Sequence, residues 1–139
     1  MERSLLDSDI LSELLRGKNS VVLRRGAAYR QVFGRYTTSV VTVFEIVCCF
    51  RQLRFESRIA DFENSLSAQE VLPLDKESSI LAGRIYGDLL RTGQTIGRAD
   101  PLIAAITISK DLTLVTGNTE HFQRIIDLGY PLRLDNWRL

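Results

Sequence analysis

The sequence is short of several side chains that carry chemistry elsewhere. It has 1 histidine, 2 cysteines and 3 prolines in 139 residues. With His121 alone and no CxxC pair, the usual zinc-ligand spacings are excluded. Cys48 and Cys49 are adjacent within "EIVCCF", where neighbours rarely form a relaxed disulfide. The apolar run around them predicts two buried thiols and a reducing compartment. No apolar run approaches the length of a membrane span. "MERSLLDSD" lacks the apolar centre of a secretory signal, so a cytoplasmic protein with no membrane partner is expected. Lysine is scarce as well: Lys18, Lys76 and Lys110 are the only ones, and every other basic residue is arginine. The arginine fork suits phosphate and carboxylate, although genomic base composition produces the same skew. The net charge of +1 gives no global field pointing to nucleic acid.

What is present reads as one globular domain spanning 1–139, with 45% hydrophobic and 25% charged residues. A chain of this size can bury roughly two-thirds of its unfolded surface without staples. Short β-rich runs alternate with helical periodicity. "SLL" (4–6) reads as a strand, and "SDILSELLR" as a helix stopping at Gly17. A second helix runs from Ser20 to about Gly34, with Gly26 as a weak point. "YTTSVV" reads as a strand, with helices from Thr42 and through "ESRIADFENSLSA" after it. "EVLPLD" is a strand broken by Pro73. "KESSILAGRIYGDLLRTG" is a helix, and Thr92–Ala99 a loop. A helix opens at Asp100, "LTLVT" is a strand, "TEHFQRIIDLG" a helix and "YPLRLDNWRL" a terminal strand or tail. This alternation predicts an α/β fold: three layers, α/β/α, around a mainly parallel sheet.

Polar residues recur where strands give way to helices. Asp7 follows the first strand, Glu45 falls in the first turn after "TTSVV", Asp100 opens its helix and Asn118 follows "LTLVT". Each has an ordinary reading as a helix start. Asp and Asn are good N-caps, Thr42-Val43-Phe44-Glu45 fits a capping box, and Pro101 suits a first helical position. Their recurrence supports a second reading. In an open parallel sheet the strand C-termini share one edge, where ligands bind. Three carboxylates converging there would raise one another's pKa unless something neutralised them. With oxygen donors and no His or Cys, Mg²⁺ or Mn²⁺ fits best.

The segments "LLDSDILSELLRG", "TSVVTVFEIV", "GRADPLIAAIT" and "LTLVTGNTEHFQRI" resemble the PIN domain. In particular they resemble VapC-type ribonuclease toxins of bacterial toxin–antitoxin modules, over nearly the whole chain and in the same order. The resemblance implies a metal-dependent endoribonuclease with Asp7, Glu45 and Asp100 at the family's acidic, metal-holding positions. Asn118 matches a fourth polar position that is often acidic, so the pull on a second metal is weaker here. Thr116 resembles the hydroxyl residue two places earlier, and Asp9 stands where the family often has Asn. His121 falls where family members carry Asp, Glu or His. The resemblance also implies an RNA substrate (tRNA among the candidates), a cognate antitoxin and a homodimer. Val32, Phe33, Phe50 and Phe55 supply apolar surface beyond what one small core readily absorbs. Two other functions fit parts of the pattern. "LLDSD" resembles the DxD strand of haloacid-dehalogenase-like phosphatases, with Asp7 as nucleophile and Asp9 as acid, but Lys76 and Lys110 are poorly placed for that family's lysine. A binding domain whose acids only cap helices is the non-enzymatic alternative.

Overall fold

The computed structural model describes residues 1–94 and 96–139. Strand β1 (Ser4–Leu6) leads into α1 (Ser8–Arg16), and α2 (Ser20–Phe33) follows a tight turn at Gly17. Then come β2 (Thr37–Ser39), α3 (Val40–Gln52), α4 (Glu56–Ser65), β3 (Glu70–Leu72) and α5 (Lys76–Arg91). The chain closes with α6 (Ala99–Ser109), β4 (Thr113–Val115), α7 (Thr119–Asp127) and β5 (Arg133–Asp135). The gap between α5 and α6 falls within the predicted loop 92–99, except that Ala99 is already the first residue of α6; Thr95 lies outside the described residues.

All strand pairs are parallel. β1 pairs with β4 and β4 with β5, with Leu6, Val115 and Asp135 in one register row. β2 pairs separately with β3. β2 lies beside β1, where the Thr38 hydroxyl donates to the Leu6 carbonyl at 3.2 Å. A continuous ladder is interrupted there because the buried Tyr29 hydroxyl accepts from the Ser4 amide and donates to the Ser4 carbonyl. Side chains on a strand alternate between faces. Leu5 and Leu114 therefore join a core under α5, α6 and α7. Leu6 and Val115 join a second core with α1, α2, α3 and Trp137. These two cores are the outer interfaces of the predicted α/β/α sandwich.

The helix starts differ from the sequence reading in ways that matter for the acids. α3 begins at Val40, not Thr42, because Ser39 is its N-cap and accepts from the Thr42 amide at 3.2 Å. Val40 and Val41 are therefore helical, and Glu45 lies in the second turn with no capping role. α6 begins at Ala99, which puts Asp100 and Pro101 second and third in the helix. Asp100 is not the N-cap, and Pro101 still falls among the first amides, which need no helical partner. Asn118 is at the N-cap position of α7, but its side chain makes no capping bond. Only Asp7 caps as read, accepting from the Ser8 amide. Cys48 and Cys49 are exposed, against the expectation of buried thiols: they lie in the second half of α3, past Val41, Thr42 and Ile46, the residues of this helix that are buried. Gly26 is a packing position, not a weak point: a Cβ there would lie 2.6 Å from Leu14 and 2.7 Å from the Tyr36 hydroxyl.

Candidate active site

The strand register brings β1 and β4 to the same edge, and with them the residues that follow each. Asp7 continues β1, its amide donating to the Val115 carbonyl at 2.9 Å. Thr116 continues β4, its amide donating to the Asp135 carbonyl at 3.0 Å. Asp7 and Thr116 are therefore neighbours across the sheet edge, and the Thr116 hydroxyl donates to Asp7 Oδ2 at 2.8 Å. Asp7 Oδ1 accepts from the Ser8 amide at 2.8 Å. Although both oxygens have partners, burial pushes the Asp7 carboxyl from 3.8 up to about 7, and the Asp9 charge adds to the rise.

Asp9 is on the first turn of α1. Its Oδ1 accepts from the Ile10 amide and its Oδ2 from the Gly117 amide at 2.9 Å, so it ties α1 to the β4–α7 turn. The Asn118 amide donates to Thr116 Oγ1 at 3.0 Å, and the Asn118 carbonyl accepts from the amides of His121 and Phe122.

Glu45 comes from α3, whose N-terminus follows β2 at the same edge. It is half-buried. Burial first, then the charges of Asp100 and Asp9, hold its carboxyl above the usual range, against a hydrogen bond from Ser8. Its Oε1 atom is buried with no hydrogen-bond partner. Asp100 enters from α6 and is also raised by burial. His121 Nδ1 lies 3.6 Å from Asp100 Oδ2 and opposes that rise. Asp7, Asp9, Glu45 and Asp100 thus form one electrostatically coupled group contributed by three helix starts. Among the described residues, no three His, Cys, Asp or Glu side chains are drawn together closely enough to hold a metal ion as they stand. A cavity of about 290 Å³ adjoins the group, walled by Ser8, Asp9, Ser12, Glu45 and Phe50 among others.

Each residue singled out in the sequence therefore has a location. Asp7 and Thr116 are in direct contact, Asp9 binds the neighbouring Gly117 amide, Glu45 and Asp100 couple to the group through charge, and Asn118 joins through its backbone. Sequence reasoning missed Ser8, Glu13, the Gly117 amide and Arg138. Gly117 left a signal, since a glycine at a strand end often marks close backbone approach. Arg138 left none.

A family model described as "PIN domain" matches residues 4–128. Ribonuclease VapC2 of Haemophilus influenzae is 30% identical over 138 residues, which is 99% of each chain. The tRNA(fMet)-specific endonuclease VapC of Shigella flexneri is 28% identical over 138 residues, again 99% of both. In three dimensions the fold superposes on a solved DNA-bound VapBC from Salmonella typhimurium, with a TM-score of 0.78 and 28% identity over 99% of both chains. The chain belongs to the PIN-domain family and, through these full-length matches, to its VapC branch.

Proposed function

We propose that this chain is a Mg²⁺- or Mn²⁺-dependent endoribonuclease and the toxin of a toxin–antitoxin pair. The observation that carries the reading is Glu45 Oε1: a buried carboxylate oxygen without a partner, coupled to Asp100 and Asp9, in a chain similar end to end to VapC ribonucleases. An orphaned buried acceptor is costly, and a cation is the partner that removes the cost. The donors are hard oxygens, which fits Mg²⁺ or Mn²⁺. Asp7, Glu45 and Asp100 would hold the ion, with Asn118 as a fourth polar group.

When bound, the metal supplies positive charge for the phosphoryl oxygens and an acidified water for in-line attack. The chain's own residues do the rest. The Ser8 amide and Thr116 hydroxyl orient Asp7, and each carboxylate oxygen keeps a further lone-pair direction open. The first turn of α6 favours the ionised form of Asp100 through the helix dipole. Asp9 fixes the β4–α7 turn relative to α1. His121 lies against one side of Asp100, its Nδ1 3.6 Å from Oδ2.

RNA is the proposed substrate, and the name of the Shigella flexneri relative makes tRNA the first to test. The proposed partners are a cognate antitoxin, supported by the likeness to a VapBC assembly, and a second copy of this chain. Val32, at 62% exposure, and Phe55 leave apolar surface for these contacts, as does Phe44, whereas Phe33 and Phe50 pack partly onto the second core. Among the described residues no helix is long and apolar enough to cross a membrane, and the cytoplasm is the proposed location.

Lys110 does not serve the phosphatase alternative. Lys110 pairs with Asp75 at the far end of α6, ~15 Å of helix from Asp100. The test is cleavage of end-labelled tRNA by purified protein with Mn²⁺ or Mg²⁺, with and without chelator. The reading expects metal-dependent fragments and no phosphorylated protein. Undiminished cleavage in excess chelator, or a trapped acyl phosphate on Asp7, overturns it.

A further inference from the structure

A cation that belongs to the chain itself lies against the acidic group. Arg138 Nη2 is 3.5 Å from Asp9 Oδ2, and both Nε and Nη2 are 3.0 Å from Glu13 Oε1. The segment that carries it is held on both sides. Arg25 donates to the Asn136 carbonyl at 2.9 Å and pairs with Asp135 at 2.8 Å. Trp137 is buried in the second core against Tyr29, and the Asn136 side chain accepts from the Arg138 amide at 3.0 Å. The guanidinium also occupies the volume that a side chain at 117 would need. A Cβ on Gly117 would lie 2.0 Å from Arg138 Nη1 and 2.7 Å from Asp9 Oδ2. Gly117 has no left-handed φ, so its lack of a side chain answers to this close approach and not to backbone strain.

We propose that Arg138 is a positioning residue for the nuclease reaction: it clamps Asp9 and Glu13 of α1 so that the Thr116–Asn118 turn is held where the metal and RNA are engaged. The clamp commits Asp9 Oδ2 to the Gly117 amide and to Arg138. Asp9 is thereby a brace between α1 and the β4–α7 turn, not a metal ligand. The same turn sets Thr116 on Asp7 and the Asn118 amide on Thr116, so a shift at Gly117 changes the aim of Asp7 through two hydrogen bonds while all three metal-holding carboxylates stay in place. Arg suits the task because its planar fork reaches two carboxylates at once, which an ammonium point charge does not. This inference rests on the proposed ribonuclease activity for its catalytic consequence, but the brace itself can be observed without it.

The variants are Arg138→Ala, Arg138→Lys and Gly117→Ala, each in the full chain. Their Mn²⁺ affinity is measured by titration calorimetry, amide exchange by mass spectrometry and cleavage on the same tRNA. Arg138→Ala should bind Mn²⁺ as tightly as the parent, since Arg138 contacts Asp9 and Glu13 and none of the metal-holding carboxylates. Its amides at 116–118 should exchange at least about tenfold faster, and its cleavage should fall by about tenfold to a hundredfold. Gly117→Ala should reproduce the exchange and cleavage losses by driving the guanidinium off. Arg138→Lys should recover the charge without recovering protection of the turn. Parent-like exchange and cleavage in Arg138→Ala overturn the proposal. So does a loss of Mn²⁺ affinity in step with cleavage, which marks general loosening. If the parent itself cleaves no RNA, the exchange and Mn²⁺ results still decide the brace, and only the nuclease reading fails.

Discussion

The Thr116 hydroxyl joins the two halves of the candidate site, donating to Asp7 Oδ2 at 2.8 Å while accepting the Asn118 amide at 3.0 Å. Of the causes acting on Asp7, this hydrogen bond is the largest that lowers its pKa. Thr116→Val keeps the shape and removes the donor. Its Asp7 carboxyl should sit above the parent's value of about 7, so the pH midpoint for Mn²⁺ binding should move upward. Thr116→Ser should restore it. Calorimetric titrations between pH 5.5 and 8.5 check this, and an unchanged midpoint in Thr116→Val contradicts it.

Asp7 also makes the metal-free fold sensitive to pH. The folded chain binds this proton more tightly than the unfolded chain, with a pKa of about 7 against 3.8. The group's contribution is therefore fully present below the unfolded value and is lost as pH rises toward the folded one. Metal-free stability should fall across that window. Asp7→Asn, which cannot ionise, should flatten the fall and gain up to ~4 kcal/mol at pH 8. Urea unfolding at pH 5 and pH 8 in chelator measures it. A metal-free parent that gains stability over the same range is the opposing result.

Asp7→Asn, Glu45→Gln and Asp100→Asn should each lower RNA cleavage by at least about a hundredfold while the fold survives. None of the three should cost stability, since each removes a carboxylate whose ionised form burial disfavours. Circular dichroism establishes the fold and single-turnover cleavage the rate. A folded Asp100→Asn protein that cleaves like the parent removes Asp100 from the site.

Gly26→Ala should destabilise the protein by ~1–3 kcal/mol, because its Cβ would meet Leu14 at 2.6 Å and the Tyr36 hydroxyl at 2.7 Å. The usual helix-propensity gain from Gly to Ala runs the other way. Chemical denaturation gives the sign directly, and a stabilised variant shows that α1 and α2 can separate to admit a methyl group.

An antitoxin that inhibits by inserting an arginine among Asp7, Glu45 and Asp100 should compete with the metal, because a guanidinium can bridge two carboxylates. Added Mg²⁺ should then weaken antitoxin binding more than a monovalent salt at matched ionic strength. Affinity that follows ionic strength alone, and survives replacement of that arginine by alanine, rejects the plug and leaves the nuclease reading intact.

Much of this protein is written locally. Short β-rich runs, 3.6-residue periodicity and turn signals defined the alternating strands and helices, because hydrophobic spacing and backbone sterics act within a few residues. The placement of Asp7, Glu45 and Asn118 just after strands was legible for the same reason, whereas Asp100, read at a strand-to-helix junction, sits on a helix that follows α5 and a loop. Local reasoning failed where two local signals competed. The sequence reading took Thr42 as the cap and left Ser39 within a strand, whereas Ser39 caps α3 and Val41, Thr42 and Ile46 of the helix are buried. The adjacent cysteines looked apolar in sequence but are exposed in the second half of α3, which depends on how far along the helix its packing against the core extends. The parallel register, the coupling of Glu45 to Asp100 and the approach of Arg138 to Asp9 belong to tertiary structure alone. Those contacts join residues as far apart as 9 and 138. Whether such groups meet is set by how two cores pack on opposite faces of one sheet, and no short stretch of sequence contains that information.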